Sequence, residues 1–127
     1  MTRAEPQIAI RRATVADVPA MIDIVNEFAE RSLMIHRSRA EMYDRLLDFQ
    51  VADREGRVVG AAGLRVMWAN LAEIYALAVS HLAQGAGVGR ALVDANVAQA
   101  RSLGIRRVFA LTYERTFFER CGFEVVD

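Results

Sequence analysis

The run Gln84-Gly85-Ala86-Gly87-Val88-Gly89-Arg90 sets three glycines at alternate positions between a strand-like segment, residues 73–79, and a helix-like one beginning near Gly87. Glycine puts no side-chain bulk over the first turn of a helix, where free backbone N–H groups point outward and the helix dipole is positive. The chemistry such a place offers is the binding of a phosphate or pyrophosphate. Two familiar phosphate loops do not fit. A Walker-type loop needs a lysine, and every Lys/Arg position of this chain is arginine. The dinucleotide fingerprint G-x-G-x-x-G, started at Gly85 or Gly87, needs its last glycine where Arg90 or Leu92 stands. The pattern left is Q-x-x-G-x-G, carried by Gln84, Gly87 and Gly89.

The elements that must position this loop alternate along the chain. Residues 7–12 read as a first strand. Val18, Met21, Ile22, Val25, Phe28 and Ala29 then recur at helical spacing, with Thr14 or Asp17 as N-cap and Pro19 fitting the first turn after Asp17. Ser38-Arg39-Ala40-Glu41 has the form of a capping box and starts a second short helix through about Asp48. Residues 49–53 and 57–67 read as strands joined by a hairpin turn at Arg54-Glu55-Gly56. A fourth strand, 71–79, feeds the glycine loop, and the helix after it runs to about Leu103, where Gly104 suits a left-handed C-cap. A strand at 107–112, a short helix at 116–121 and a closing strand at 122–126 complete the order β-α-α-β-β-β-α-β-α-β. The fold class is α/β, a mixed sheet with helices on both faces.

A length of 127 residues with 54% hydrophobic residues suits one domain, 1–127, with a real core. Sixteen basic against sixteen acidic residues give no field favouring nucleic acid or a membrane surface. The single cysteine, Cys121, excludes an intramolecular disulfide, and His36 and His81 lack partners at metal-ligand spacing, so no metal is expected. With no leader and no membrane-length apolar run, the chain reads as soluble and cytoplasmic.

The A-E-I-x-x-L-A-V strand at 72–79, the Q-x-x-G-x-G loop and the F-F-E-R-C-G-F ending at 117–123 occur in an order that resembles the Gcn5-related N-acetyltransferase (GNAT) superfamily over nearly the whole chain. Arg39-Ala40-Glu41-Met42-Tyr43, the V-V-G-x-x-x-L strand at 58–64, Val108-Phe109-Ala110-Leu111-Thr112-Tyr113 and Phe117-Phe118-Glu119-Arg120 are similar to its short bacterial N-acetylglutamate synthase-type branch. The resemblance implies that the fourth and fifth strands splay apart and hold acetyl-CoA. Its pantetheine arm would follow Leu77, Ala78 and Val79, and its pyrophosphate would meet N–H groups from Gln84 through Gly85, Ala86, Gly87, Val88 and Gly89 to Arg90. The implied reaction is direct transfer of the acetyl group to the primary amine of a small molecule, such as the amino acid glutamate. The alternatives are another acceptor, a polyamine or a protein N-terminus, and a catalytically silent acyl-CoA-binding module.

Glu73 stands where many members of the superfamily keep the general base, and it reads equally as a structural ion-pair member. Where they keep a tyrosine acid, this chain has Phe118, which cannot donate a proton; Tyr113 is the substitute candidate, with a packed tyrosine as the plain alternative. Arg37 and Arg39 lie where the family builds part of its acceptor pocket, against a plain reading as a loop charge and a capping position. Synthase-type relatives commonly carry arginine where this chain has Tyr75, on the strand lining the acceptor side, which leaves glutamate specificity open. The family's final strand is lacking after 122–126, and an uncovered edge predicts a homodimer.

Overall fold

Pro19 in a first turn, followed by apolar residues at helical spacing, dictates a helix. The computed structural model of the chain, which describes residues 1, 7–31, 36–112 and 114–126, forms it as α1, Val18–Arg31. Its Val18, Met21 and Val25 are wholly buried against Val51, Ala61 and Ala78. Burying a side chain of that size contributes roughly 1.5–3 kcal/mol. Five strands, β1 (Ile8–Arg12), β2 (Phe49–Arg54), β3 (Arg57–Trp68), β4 (Leu71–Val79) and β5 (Val108–Phe109), lie side by side in that order. The first four pair antiparallel and β5 joins β4 parallel, so the sheet is mixed as expected.

The opposite face is covered by α3, Val88–Ser102. Val88 and Leu92 pack over Ala52, Val59 and Ala62, while Val93 and Ala100 join Leu64, Ala72 and Ile74. Gly60 lets this helix approach: a Cβ there would stand 3.0 Å from both Leu92 Cδ1 and Val88 Cγ1. The β2–β3 turn holds Glu55 and Gly56 at φ 53° and 85°, the left-handed pair that a two-residue hairpin needs. Ser38 caps α2 (Arg39–Asp44) by accepting the Glu41 N–H at 3.2 Å, and Gly104, at φ 84°, follows the end of α3. No helix of the described residues is long and apolar enough to cross a membrane.

Three elements differ from the sequence expectation. The second helix stops at Asp44 and continues as a tight turn over Leu46–Asp48. The fifth strand keeps only Val108–Phe109 of the expected 107–112. Residues 122–126 form no ladder. Instead, α4 (Arg115–Arg120) ends in a Schellman turn, with the Gly122 N–H on Glu119 O and the Phe123 N–H on Phe118 O, each 3.0 Å. Phe123 is thereby spent packing edge-on against Phe118, centroids 5.3 Å apart, rather than extending a strand.

An ion-pair knot ties β1 and β2 to the start of α1. Arg11 donates to both oxygens of the buried Asp17 at 2.7 and 2.9 Å and, from Nε, to Asp53 at 3.0 Å. Asp17 also accepts the Thr14 N–H and hydroxyl. The Arg11 hydrogen bonds, opposed by burial, hold the Asp17 carboxyl at about 2, below its ordinary 3.8. A lowered carboxylate stabilises the fold above its unfolded-state value and loses that contribution as pH falls through the folded one, here about 2 kcal/mol between roughly pH 5 and pH 1. Asp17→Asn is expected to lower stability by that amount at pH 7 and to flatten the fall in thermal midpoint between pH 5 and pH 2, measured by circular dichroism.

Candidate active site

Two features meet along β4. The first is the glycine loop. Past Val79, Ser80 caps a tight turn over His81–Ala83, and the Gln84 side-chain amide donates back to Val79 O at 3.4 Å. Gly85 and Gly87 then take φ 84° and 76°, and a Cβ at either would meet nothing within 4 Å. Their service is therefore to the backbone turn and to an open approach, not to packing. Gly87 is the N-cap of α3, and among the described residues no side chain caps that end. Its first N–H groups lack intrahelical partners and carry the positive end of the dipole. Gly89 differs: a Cβ there would lie 3.1 Å from the Phe117 ring. Val88 is buried beneath the loop, Gln84, Gly85 and Ala86 are exposed, and the exposed Arg90 stands 4.0 Å from Asp94.

The second feature is the open side of β4. Its ladder with β5 consists of Ala72↔Val108 and Glu73↔Phe109, while its ladder with β3 runs on to Val79. From Ile74 onward the β5 side of β4 has no strand partner among the described residues. Leu77, Ala78 and Val79 lie on this stretch, and the opening starts upstream of them. Unpaired backbone groups on such a strand suit an extended molecule carrying amides. A register shift between Ala61 and Gly63 marks a bulge, where Ala76 adopts φ 52°. A non-glycine residue held left-handed is strained, and such strain gathers at working sites.

The bulge changes the face of the residues around it. Tyr75 and Ala76 both pack toward α1, and Glu73 lies opposite Arg65 of β3, whose Nη2 contacts Glu73 Oε1. Glu73 is buried, with 6% of its surface exposed. The Tyr75 hydroxyl donates to Asp48 Oδ2 at 2.5 Å, and its ring meets Phe49 edge-on at 5.3 Å. Burial first, then Asp48, pushes the Tyr75 phenol above its ordinary range, so it stays a donor. Gly63 makes the room: a Cβ there would stand 2.7 Å from the Tyr75 ring. The Arg37 guanidinium carbon sits 5.1 Å from the centre of the same ring, and that of Arg65 sits 5.2 Å away. Asn26 fixes the Arg37 backbone through two hydrogen bonds, 2.9 and 3.1 Å.

The structure thus gathers Glu73, Tyr75 and Arg37. Arg39 is left exposed as the first residue of α2, beside the capping pair of Ser38 and Glu41. Tyr113 lies outside the described residues. Phe118 is buried among Phe117 and Phe123. Burial pushes the Cys121 thiol above its ordinary value, which disfavours the thiolate a nucleophile needs. Sequence reading missed Arg65 and Asp48. Arg65 could have been found by folding the 57–67 and 71–79 strands about Ala69, which sets it across from Glu73; nothing in the sequence marks Asp48 as a partner of Tyr75.

Residues 18–123 match the sequence profile of the acetyltransferase (GNAT) family. An amino-acid acetyltransferase of Mycobacterium tuberculosis is 38% identical over 121 residues, 93% of this chain and 69% of the relative. A Mycobacterium tuberculosis structure in complex with CoA and NLQ superposes with TM-score 0.89 at 37% identity, over 94% of this chain and 73% of that one. The N-acetylglutamate synthase of Neisseria gonorrhoeae, complexed with coenzyme A and N-acetyl-glutamate, gives TM-score 0.83 at 32% identity. That match covers 92% of this chain and 28% of the synthase, so this chain corresponds to one portion of the longer protein.

Proposed function

This chain belongs to the acetyltransferase (GNAT) family, and from that premise we propose that it is an N-acetyltransferase that passes the acetyl group of acetyl-CoA directly to the amine of a small amino acid, with glutamate the first acceptor to test. The observation that carries this reading is the juxtaposition on β4: past one end a helix N-terminus with no side-chain cap among the described residues, from Ile74 onward an edge with no strand partner among them, and the buried carboxylate of Glu73 where that edge begins. The amino-acid acceptor is supported by the Mycobacterium relative, an amino-acid acetyltransferase, and by the N-acetyl-glutamate of the Neisseria structure.

Acetyl-CoA, when bound, supplies an acetyl carbonyl already activated as a thioester. The chain's own part is to bind, align and move a proton. N–H groups from Gly87 through Arg90 would hold the diphosphate, and backbone groups between Ile74 and Val79 would pair with the pantetheine amides. Glu73 takes a proton from the acceptor ammonium, directly or through one water. The freed nitrogen pair forms the N–C bond to the acetyl carbon, the C–S bond breaks with its electron pair staying on sulfur, and the nitrogen's second proton and the one held by Glu73 pass to solvent, leaving the neutral amide. With phenylalanine at position 118, the proton that completes the thiol comes from solvent or from Tyr113.

Thiol release from acetyl-CoA across a panel of amines tests the proposal. Turnover concentrated on amino acids is expected. Turnover with polyamines or peptide N-termini alone would move the acceptor assignment, and coenzyme binding without turnover for every amine would leave a silent module. A homodimer covering the free edge of β5, within the cytoplasm, belongs to the same proposal; light scattering showing only monomer would remove it.

A further inference from the structure

Three charged side chains meet Tyr75 and a fourth, Glu73, is tied to one of them; their pairing is uneven. Asp48 is engaged by the Tyr75 hydroxyl, and Glu73 by Arg65 Nη2. Arg37 and Arg65, both about 5 Å from the ring centre, each keep a buried Nε that donates to nothing among the described residues. A buried donor left without an acceptor is costly, and here two of them lie beside one ring. The group that would satisfy both is a carboxylate, whose two oxygens match guanidinium forks. At the same time Glu73 Oε1 faces a guanidinium N–H, whose positive charge opposes the approach of an acceptor ammonium to that oxygen while Arg65 stays in place.

We infer that Arg65 is a positioning residue that responds to the acceptor: it holds Glu73 in the free enzyme, and an acceptor carboxylate entering between Arg65 and Arg37 takes over its guanidinium, freeing Glu73 Oε1 to accept the ammonium proton. The inference rests on the amino-acid reading of the acceptor. It makes the carboxylate a requirement of the chemistry as well as of binding, because an amine without one leaves the base engaged. It also assigns a role to a residue of β3 that lies across the ladder from the base and need not touch the reacting nitrogen.

The test titrates glutamate by calorimetry into native, Arg65→Gln and Arg65→Lys protein saturated with coenzyme A, and compares kcat/KM for glutamate and for n-butylamine, which has no carboxylate. Arg65→Gln is expected to bind glutamate about ten- to a hundredfold more weakly. Its coenzyme A affinity should stay within twofold, and its turnover of butylamine should rise, so that preference for glutamate drops at least tenfold. Arg65→Lys, which keeps the charge without the fork, should fall between, and it carries the test if Arg65→Gln fails a thermal-melt check of folding. Equal losses on both acceptors, or glutamate affinity within twofold of native, would overturn the inference while leaving the enzyme reading intact. A native protein that acetylates other amines but neither binds nor acetylates any amino acid would overturn the inference and the acceptor reading together.

Discussion

Gly87→Val is expected to weaken coenzyme A binding at least about a hundredfold, the loss of two or more charge-assisted hydrogen bonds at roughly 1.5–3 kcal/mol each. Gly87 takes φ 76° as the N-cap of α3, with nothing within 4 Å of where a Cβ would be. Valine leaves two outcomes. It either keeps the left-handed backbone and hangs two methyl groups over the N–H groups, or it abandons that backbone and turns them away. Since no neighbour is struck, the cost in stability should stay near the strain of one left-handed residue, about 1–2 kcal/mol. Gly104→Val is the control. Gly104 has φ 84° and equal room, but follows the opposite end of the 15-residue α3, about 22 Å away. It should lose similar stability and no coenzyme affinity. Calorimetry on the two variants that showed equal affinities would remove the loop from the binding site.

Glu73→Gln is expected to lower kcat by about 10²–10⁴-fold with coenzyme A affinity within twofold. Glutamine has the size of glutamate and still accepts from Arg65, yet it cannot take the acceptor's proton. The plain alternative, a structural partner of Arg65, predicts the reverse pattern, a lower thermal midpoint with kcat near native. The burial of Glu73, with 6% exposure, and its place at the start of the open edge favour the catalytic outcome. Steady-state kinetics beside a melting curve decides between them.

What sequence made legible was mostly local. The caps at Ser38 and Gly104, the turn at Glu55-Gly56 and the glycine loop each depend on the conformational preference of a few adjacent residues, which survive any packing. The site's polar cluster was not local. Ala76 is an ordinary helix-favouring residue, and its left-handed backbone comes from the ladder between β3 and β4; without that bulge the faces of Tyr75 and Glu73 could not be assigned. Asp48 reaches Tyr75 across 27 residues, a contact set by how the turn at Leu46–Asp48 docks on the sheet. The end of the chain misled for a physical reason. Phe123 looked like a strand residue by its type, but Gly122 turned it back onto Phe118, and burial of the ring prevailed over strand pairing.

On this reading the open edge of β4 and the N-terminus of α3 form one coenzyme site. A crystal structure of the protein with coenzyme A tests it most directly. Diphosphate oxygens are expected about 2.7–3.1 Å from N–H groups between Gly87 and Arg90, with pantetheine amides paired to β4 downstream of Glu73. Coenzyme bound elsewhere, with those N–H groups facing only water or the protein itself, would contradict it.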